Sequence, residues 1–210
     1  MKSINSALVL GATGLVGKAL VTQLLKDARY NKIICLVRKP LKHSDYPDPN
    51  GKLEPIVINF EDLQDYQGYF SADHVYVCLG TTLKQVKSKT AFRKVDFEYV
   101  HIAAQLARAQ QAQSFVWISS VGANAKSKHF YLRVKGELEN AILAMSGLNS
   151  PSAVRPSFLL GERPQPRLVE KLAACVGQLI APLLFGRLGK YKPVSARQVA
   201  ARMISLQVFK

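Results

Sequence analysis

The stretch Leu8-Val9-Leu10-Gly11-Ala12-Thr13-Gly14-Leu15-Val16-Gly17-Lys18-Ala19-Leu20 places three glycines and a lysine between apolar flanks. That composition suggests a phosphate cradle, and two loops compete for it. A mononucleotide loop needs glycine, four residues, Gly-Lys and then Ser or Thr, whose hydroxyl holds magnesium. Gly17-Lys18 suits it, but Ala12 stands where its first glycine belongs and Ala19 where its hydroxyl belongs. A dinucleotide loop fits better, with glycines at the first, fourth and seventh positions of Gly11 to Gly17. The run Ala7 to Leu10 reads as a short buried strand, and Leu15, Val16, Ala19, Leu20 and Leu24 recur at helical spacing. The glycines therefore sit at the strand-to-helix turn that a dinucleotide site requires. Gly11 permits the tight turn, Gly14 lets a pyrophosphate approach the backbone, and Gly17 lets the helix pack on the strand. Gly11, Ala12, Thr13, Gly14, Leu15, Val16 and Gly17 are the candidate cofactor residues, with the helix N-terminus turned to the phosphates.

About twenty residues further on, a carboxylate usually holds the ribose 2′-hydroxyl of NAD. The second strand, Lys32 to Val37, ends instead in Arg38-Lys39-Pro40. A guanidinium there can pair with a 2′-phosphate, which favours NADP(H) over NAD(H) and makes Arg38 a cofactor candidate.

The 210 residues, 48% hydrophobic, suffice for a single domain with a substantial core. Cys35, Cys78 and Cys175 are odd in number and far apart, as in a reduced, intracellular protein. The four histidines show no ligand spacing, which argues against a metal. The N-terminus carries no signal-peptide pattern, and the longest apolar stretch, Leu172 to Phe185, is too short to span a bilayer. A soluble, cytoplasmic protein is the expectation. The net charge of +15 comes from dispersed cations without aromatic interleaving or a helix-turn-helix pattern, so nucleic acid is not expected as the main partner.

Strand and helix signals alternate along the chain, as in a doubly wound parallel sheet with helices on both faces, the Rossmann-type α/β architecture. Strand-like runs cover 55–59, 74–80, 115–120 and 152–156, and a helix is expected over about 131–145. A long helix is expected to bury Phe92, Val95, Tyr99, Ile102, Ala103 and Leu106. Residues 157–210, with a helix-like Leu168 to Leu184 and a last amphipathic helix over Ala196 to Leu206, read as a small segment closing the substrate side. Its apolar face could instead meet a protein partner or a membrane surface.

Tyr131 and Lys135 stand four residues apart, on one helix face, shortly after a strand ending in Ser119-Ser120. With eight tyrosines in the chain the spacing alone proves little; its position is more telling. A nearby ammonium favours the phenolate, so such a tyrosine can exchange a proton with a carbonyl or alcohol. A serine hydroxyl can polarise the carbonyl oxygen, and the lysine can also hold the nicotinamide ribose. Either serine could serve, with Ser120 preferred because it is nearer the strand's end.

The set Gly11-x-x-Gly14-x-x-Gly17, Ser119-Ser120 and Tyr131-x-x-x-Lys135 resembles the short-chain dehydrogenase/reductase superfamily in its atypical or extended branch. Cys78-Leu79-Gly80-Thr81-Thr82, Ser119 to Ala123 and Tyr131 to Glu137 resemble the Tat-interacting oxidoreductase-like subgroup. The resemblance, from about Ala7 to Val199, implies NADP(H) at Gly11 to Gly17 and Arg38, with Leu79, Gly80 and Thr81 lining the cofactor. It assigns catalytic roles to Ser120, Tyr131 and Lys135 and hydride transfer to a small carbonyl substrate. The subgroup also includes regulators, so an NADPH-binding scaffold is the alternative, and a homodimer is plausible from the wider superfamily. Where many relatives carry an asparagine that completes a proton relay, this chain has Asp96.

Overall fold

The computed structural model describes residues 4–157, 159–160 and 193–209. Six strands, β1 (Asn5–Leu10), β2 (Tyr30–Val37), β3 (Leu53–Val57), β4 (His74–Val77), β5 (Ser114–Ile118) and β6 (Pro151–Val154), form one sheet. Their order is β3-β2-β1-β4-β5-β6 and every pairing is parallel. This is the doubly wound Rossmann-type sheet expected from the alternation of elements. The order reverses between β1 and β4, so the crossovers leave on opposite faces and a crevice opens at the carboxyl ends of those two strands.

Period-two side chains divide the core between the faces. Ala7, Val9, Ile33, Cys35, Val37, Tyr76 and Val116 point to one side, where Leu20, Val21 and Leu24 of α1 (Leu15–Lys26) cover them. Leu8, Leu10, Ile34, Leu36, Val75, Val77, Phe115 and Trp117 point to the other. They pack there against the 3₁₀ segment Phe60–Ser71, α4 (Tyr99–Ala109) and α5 (Phe130–Leu143).

The long helix differs from its expected face. It begins with the short α2 (Leu83–Val86) and α3 (Lys89–Arg93), then makes a π-helical turn at Lys94–Glu98 before α4. The wider turn shifts the buried stripe by one residue, about 100° of helix rotation. Phe92 and Ala103 are buried as expected, and Ile102 and Leu106 pack partly buried beside them, but Asp96, Val100, Ala104 and Ala107 complete the buried stripe while Val95 and Tyr99 line the crevice.

The last helix, α6 (Ala196–Ser205), begins with a capping box between Ser195 and Gln198. Val199, Ala200, Met203 and Ile204 join the α1 side of the core, so this helix of the C-terminal segment covers the sheet beside α1. Leu159–Leu160 (β7) pairs in parallel with Val194–Ser195 (β8). The helix expected over Leu168 to Leu184, and Cys175, lie outside the described residues.

Residues after α6 dock at the amino ends of the strands. His74 Nε2–H donates to Val208 O (2.8 Å), and His74 Nδ1 accepts from the Tyr30 hydroxyl (2.7 Å), which in turn lies 2.7 Å from the Tyr76 hydroxyl. This pattern uses the neutral imidazole, and burial first of all pushes its pKa below the ordinary histidine value. A depressed folded pKa contributes stability that is complete above the ordinary value and lost as pH falls. We expect the Tm of the protein to fall from about pH 7.5 to about 6, and that of His74→Gln, which takes no proton, to fall less over the same range; parallel profiles would refute the assignment.

Candidate cofactor and active site

The crevice at the β1–β4 reversal is a cleft of about 310 Å³. Gly11, Ala12, Thr13 and Gly14 line it from the loop after β1, Arg38 from the end of β2, and Cys78, Leu79, Gly80 and Thr81 from the loop after β4. Phe60, Val95 and Tyr99 complete one wall. The Tyr99 hydroxyl donates to Glu61 (2.8 Å), and burial together with that carboxylate pushes the phenol up to about 12, so it stays neutral.

The glycines have separate duties. Gly11 has φ +85°, and a Cβ there would lie 2.7 Å from the Cys78 carbonyl. At Gly17 a Cβ would lie 2.0 Å from the Gly11 oxygen, so α1 could not approach the loop. Gly14 is different, because a Cβ there would meet nothing nearer than 3.4 Å. It is the N-cap of α1, no side chain caps the helix, and its first turn holds no acid. Free N–H groups facing an open glycine backbone suit an anionic pyrophosphate, so the cradle fits a dinucleotide. Of the other loop candidates, Leu15 is half-buried, Val16 belongs to the core and Gly17 abuts Gly11; none of the three lines the cleft.

Two braces were not evident in the sequence. Tyr46, in a polar loop, is buried and donates its hydroxyl to Ala12 O (3.0 Å), with Lys18 beside its ring and paired to Asp45 at 3.1 Å. No local pattern announces this contact. Gly136, which follows Lys135, carries a signal only by being a glycine inside a helix. A Cβ there would lie 2.2 Å from Ala125 N, so its absence seats α5 on the loop after β5.

At the end of β5, Ser119 is buried and its hydroxyl has no hydrogen-bond partner among the described residues. Ser120 is half-buried and donates to Val121 O (3.2 Å). Tyr131, in the first turn of α5, is 38% exposed, with its ring edge-on to Phe92 at 5.7 Å. Lys135, one turn on, is buried and donates to Ile118 O at 3.3 Å. Its ammonium lies 2.8 Å from Asp96 Oδ1, and Asp96 Oδ2 accepts from Thr81 N–H (2.8 Å). Burial pushes the Asp96 carboxyl above its ordinary value, opposed by the Lys135 ammonium and the Thr81 N–H. Asp96 thus links the β4 loop, the π-helical turn and α5.

This fold and cleft define a Rossmann-type NAD(P)-binding protein of oxidoreductase-like architecture. The chain belongs to the NAD(P)H-binding family, which it matches over residues 11–175, in the atypical short-chain dehydrogenase/reductase group that resembles the Tat-interacting proteins. It is 37% identical over 165 residues to Protein FMP52-1, mitochondrial, of Scheffersomyces stipitis, covering 75% of this chain and 69% of that protein. It is 34% identical over 170 residues to Protein HTATIP2 of Rattus norvegicus, covering 80% and 69%. A UDP-N-acetylglucosamine 4-epimerase from Methanobrevibacter ruminantium M1 shares the fold, with TM-score 0.71, 13% identity and coverage of 96% of this chain and 72% of that one.

These relatives correct the expectation of a cytoplasmic location, since FMP52 proteins are named mitochondrial. Composition and the first residues are too indirect a guide to compartment. Among the described residues, no helix is long and apolar enough to cross a membrane.

The glycine geometry predicts opposite outcomes for two alanines. Gly17→Ala should destabilise the protein by about 1–3 kcal/mol through overpacking. Gly14→Ala should leave Tm nearly unchanged and weaken dinucleotide binding about tenfold, measured by thermal melts and calorimetric titration.

Proposed function

We propose that the chain is an NADP(H)-dependent oxidoreductase that reduces a small carbonyl-type substrate, with Tyr131 as proton donor. The observation that carries this reading is α5: Tyr131 and Lys135 stand one turn apart, and Lys135 is anchored at the end of β5 and joined through Asp96 to Thr81 of the loop that lines the cleft. When bound, the nicotinamide supplies the hydride. The chain's own residues bind and position it and manage the proton. Gly11 to Gly14 and the free start of α1 receive the pyrophosphate, and Arg38 pairs with the 2′-phosphate. Ser120, the more accessible of the two serines, polarises the carbonyl oxygen as charge gathers there. Tyr131 gives the proton, and Lys135 orients the ribose.

Calorimetric titration should show NADPH bound at least about tenfold more tightly than NADH, with most of that preference lost in Arg38→Ala; equal affinities would refute the 2′-phosphate role. Tyr131→Phe should retain NADPH and lower kcat by about a hundredfold or more, checked by NADPH oxidation over a panel of carbonyls. Unchanged turnover in that variant would sink the proton-donor assignment.

A second reading is an NADPH-binding regulator with little turnover. It is favoured by Asp96, which already pairs with the Lys135 ammonium that the catalytic reading assigns to Tyr131. It predicts tight NADPH binding with no oxidation over the same panel.

A further inference from the structure

The pair Asp96–Lys135 is buried on both sides, with 1% and 2% of the two residues exposed. Burying two ions costs solvation, and a well-packed apolar pair of similar volume would often be as stable, so the pair calls for another explanation. Its place supplies one. One carboxylate oxygen is held by Lys135 as an ion pair and by no hydrogen bond among the described residues, the other accepts from the Thr81 backbone, and Thr81 lines the cleft. Gly80 also lines it, and a Cβ at Gly80 would lie 3.7 Å from Asp96 Oδ1. The carboxylate is thus buried directly behind Gly80 and Thr81, two residues of the cleft wall. Among the described residues Asp96 is the one carboxylate paired with Lys135.

We propose that Asp96 is a positioning residue that sets the charge at the nicotinamide end of the cleft. By compensating Lys135 it allows the cationic oxidised ring to bind alongside the neutral reduced one. It also ties the backbone of Thr81 to α5, so that the loop and the lysine hold one arrangement. Without the carboxylate the Lys135 ammonium is uncompensated and opposes the oxidised ring selectively. A loosened structure would weaken both forms alike, so the ratio of the two affinities separates the charge role from a merely structural one.

The inference rests on the reading that NADP(H) occupies this cleft, and the test distinguishes the two. NADP⁺ and NADPH are titrated calorimetrically into the wild type, Asp96→Asn and the double variant Asp96→Asn/Lys135→Met. In Asp96→Asn the ratio Kd(NADP⁺)/Kd(NADPH) should rise about tenfold, the size expected of one uncompensated charge acting across roughly 10 Å of protein interior. The double variant, with neither charge, should return the ratio to within about twofold of the wild type. Asp96→Ser carries the same expectation should the asparagine variant fail to fold. An unchanged ratio in a folded single variant, with wild-type binding intact, overturns the role of Asp96 alone. Failure of the wild type to bind either form overturns the cofactor reading and this inference together.

Discussion

The close approach of α1 to the end of β1 is the constraint from which the rest of the site follows. Gly17 rests so near the Gly11 carbonyl that a single methyl would collide with it, and Gly11 in turn rests on the Cys78 backbone. These contacts fasten the first helix, the first strand and the fourth strand at the point where the sheet reverses direction. The cleft exists because the crossovers part there, and its floor is backbone because the three elements meet through glycines. Tyr46 adds a hydrogen bond to the same loop from outside the sheet. A larger residue at either close contact would move the helix whose free N–H groups face the cleft.

Electrostatics divide into two kinds. The excess of cations is spread over the surface, where its individual ion pairs are exposed and contribute little. Among the described residues, the charges partly or wholly withdrawn from water are specifically partnered. Asp73 accepts from Ser6 N and Oγ, each at 2.7 Å, and from Gln113, which outweighs the opposing effect of burial and lowers its pKa. Glu139 pairs with Arg155, and Asp96 with Lys135. The first two tie chain segments at the strand ends; the third lies under the cleft. A charge held out of water acts over a longer distance than a solvated one, so that location gives the pair a reach the surface lysines lack.

Much of the architecture was legible because parallel strands buried on both faces are short apolar runs, and Ala7 to Leu10 and Ile33 to Val37 are such runs. The loop glycines and Arg38 were read from residue type at set distances from a strand, because close backbone approach and anion pairing restrict what can stand there, whereas Leu79 to Thr81, which line the cleft, were marked only by the family resemblance. The face of the long helix was misread at Val95 and Tyr99, because a π-helical turn leaves no mark in apolar periodicity. Tyr46 was missed because its partner is a backbone oxygen more than thirty residues away, a contact that no local spacing encodes.

By itself the sequence determined the succession of strands and helices, the dinucleotide loop and the four-residue step from Tyr131 to Lys135, since each depends on neighbours along the chain. Tertiary structure alone decided that Val16 and Gly17 pack while Gly14 faces the cleft, that Ser119 is sealed and Ser120 more accessible, and that the last helix covers the sheet. It also decided that Asp96 holds Lys135. Those outcomes depend on which surfaces meet across the sheet, and burial and pairing between distant segments are set by packing after the local elements have formed.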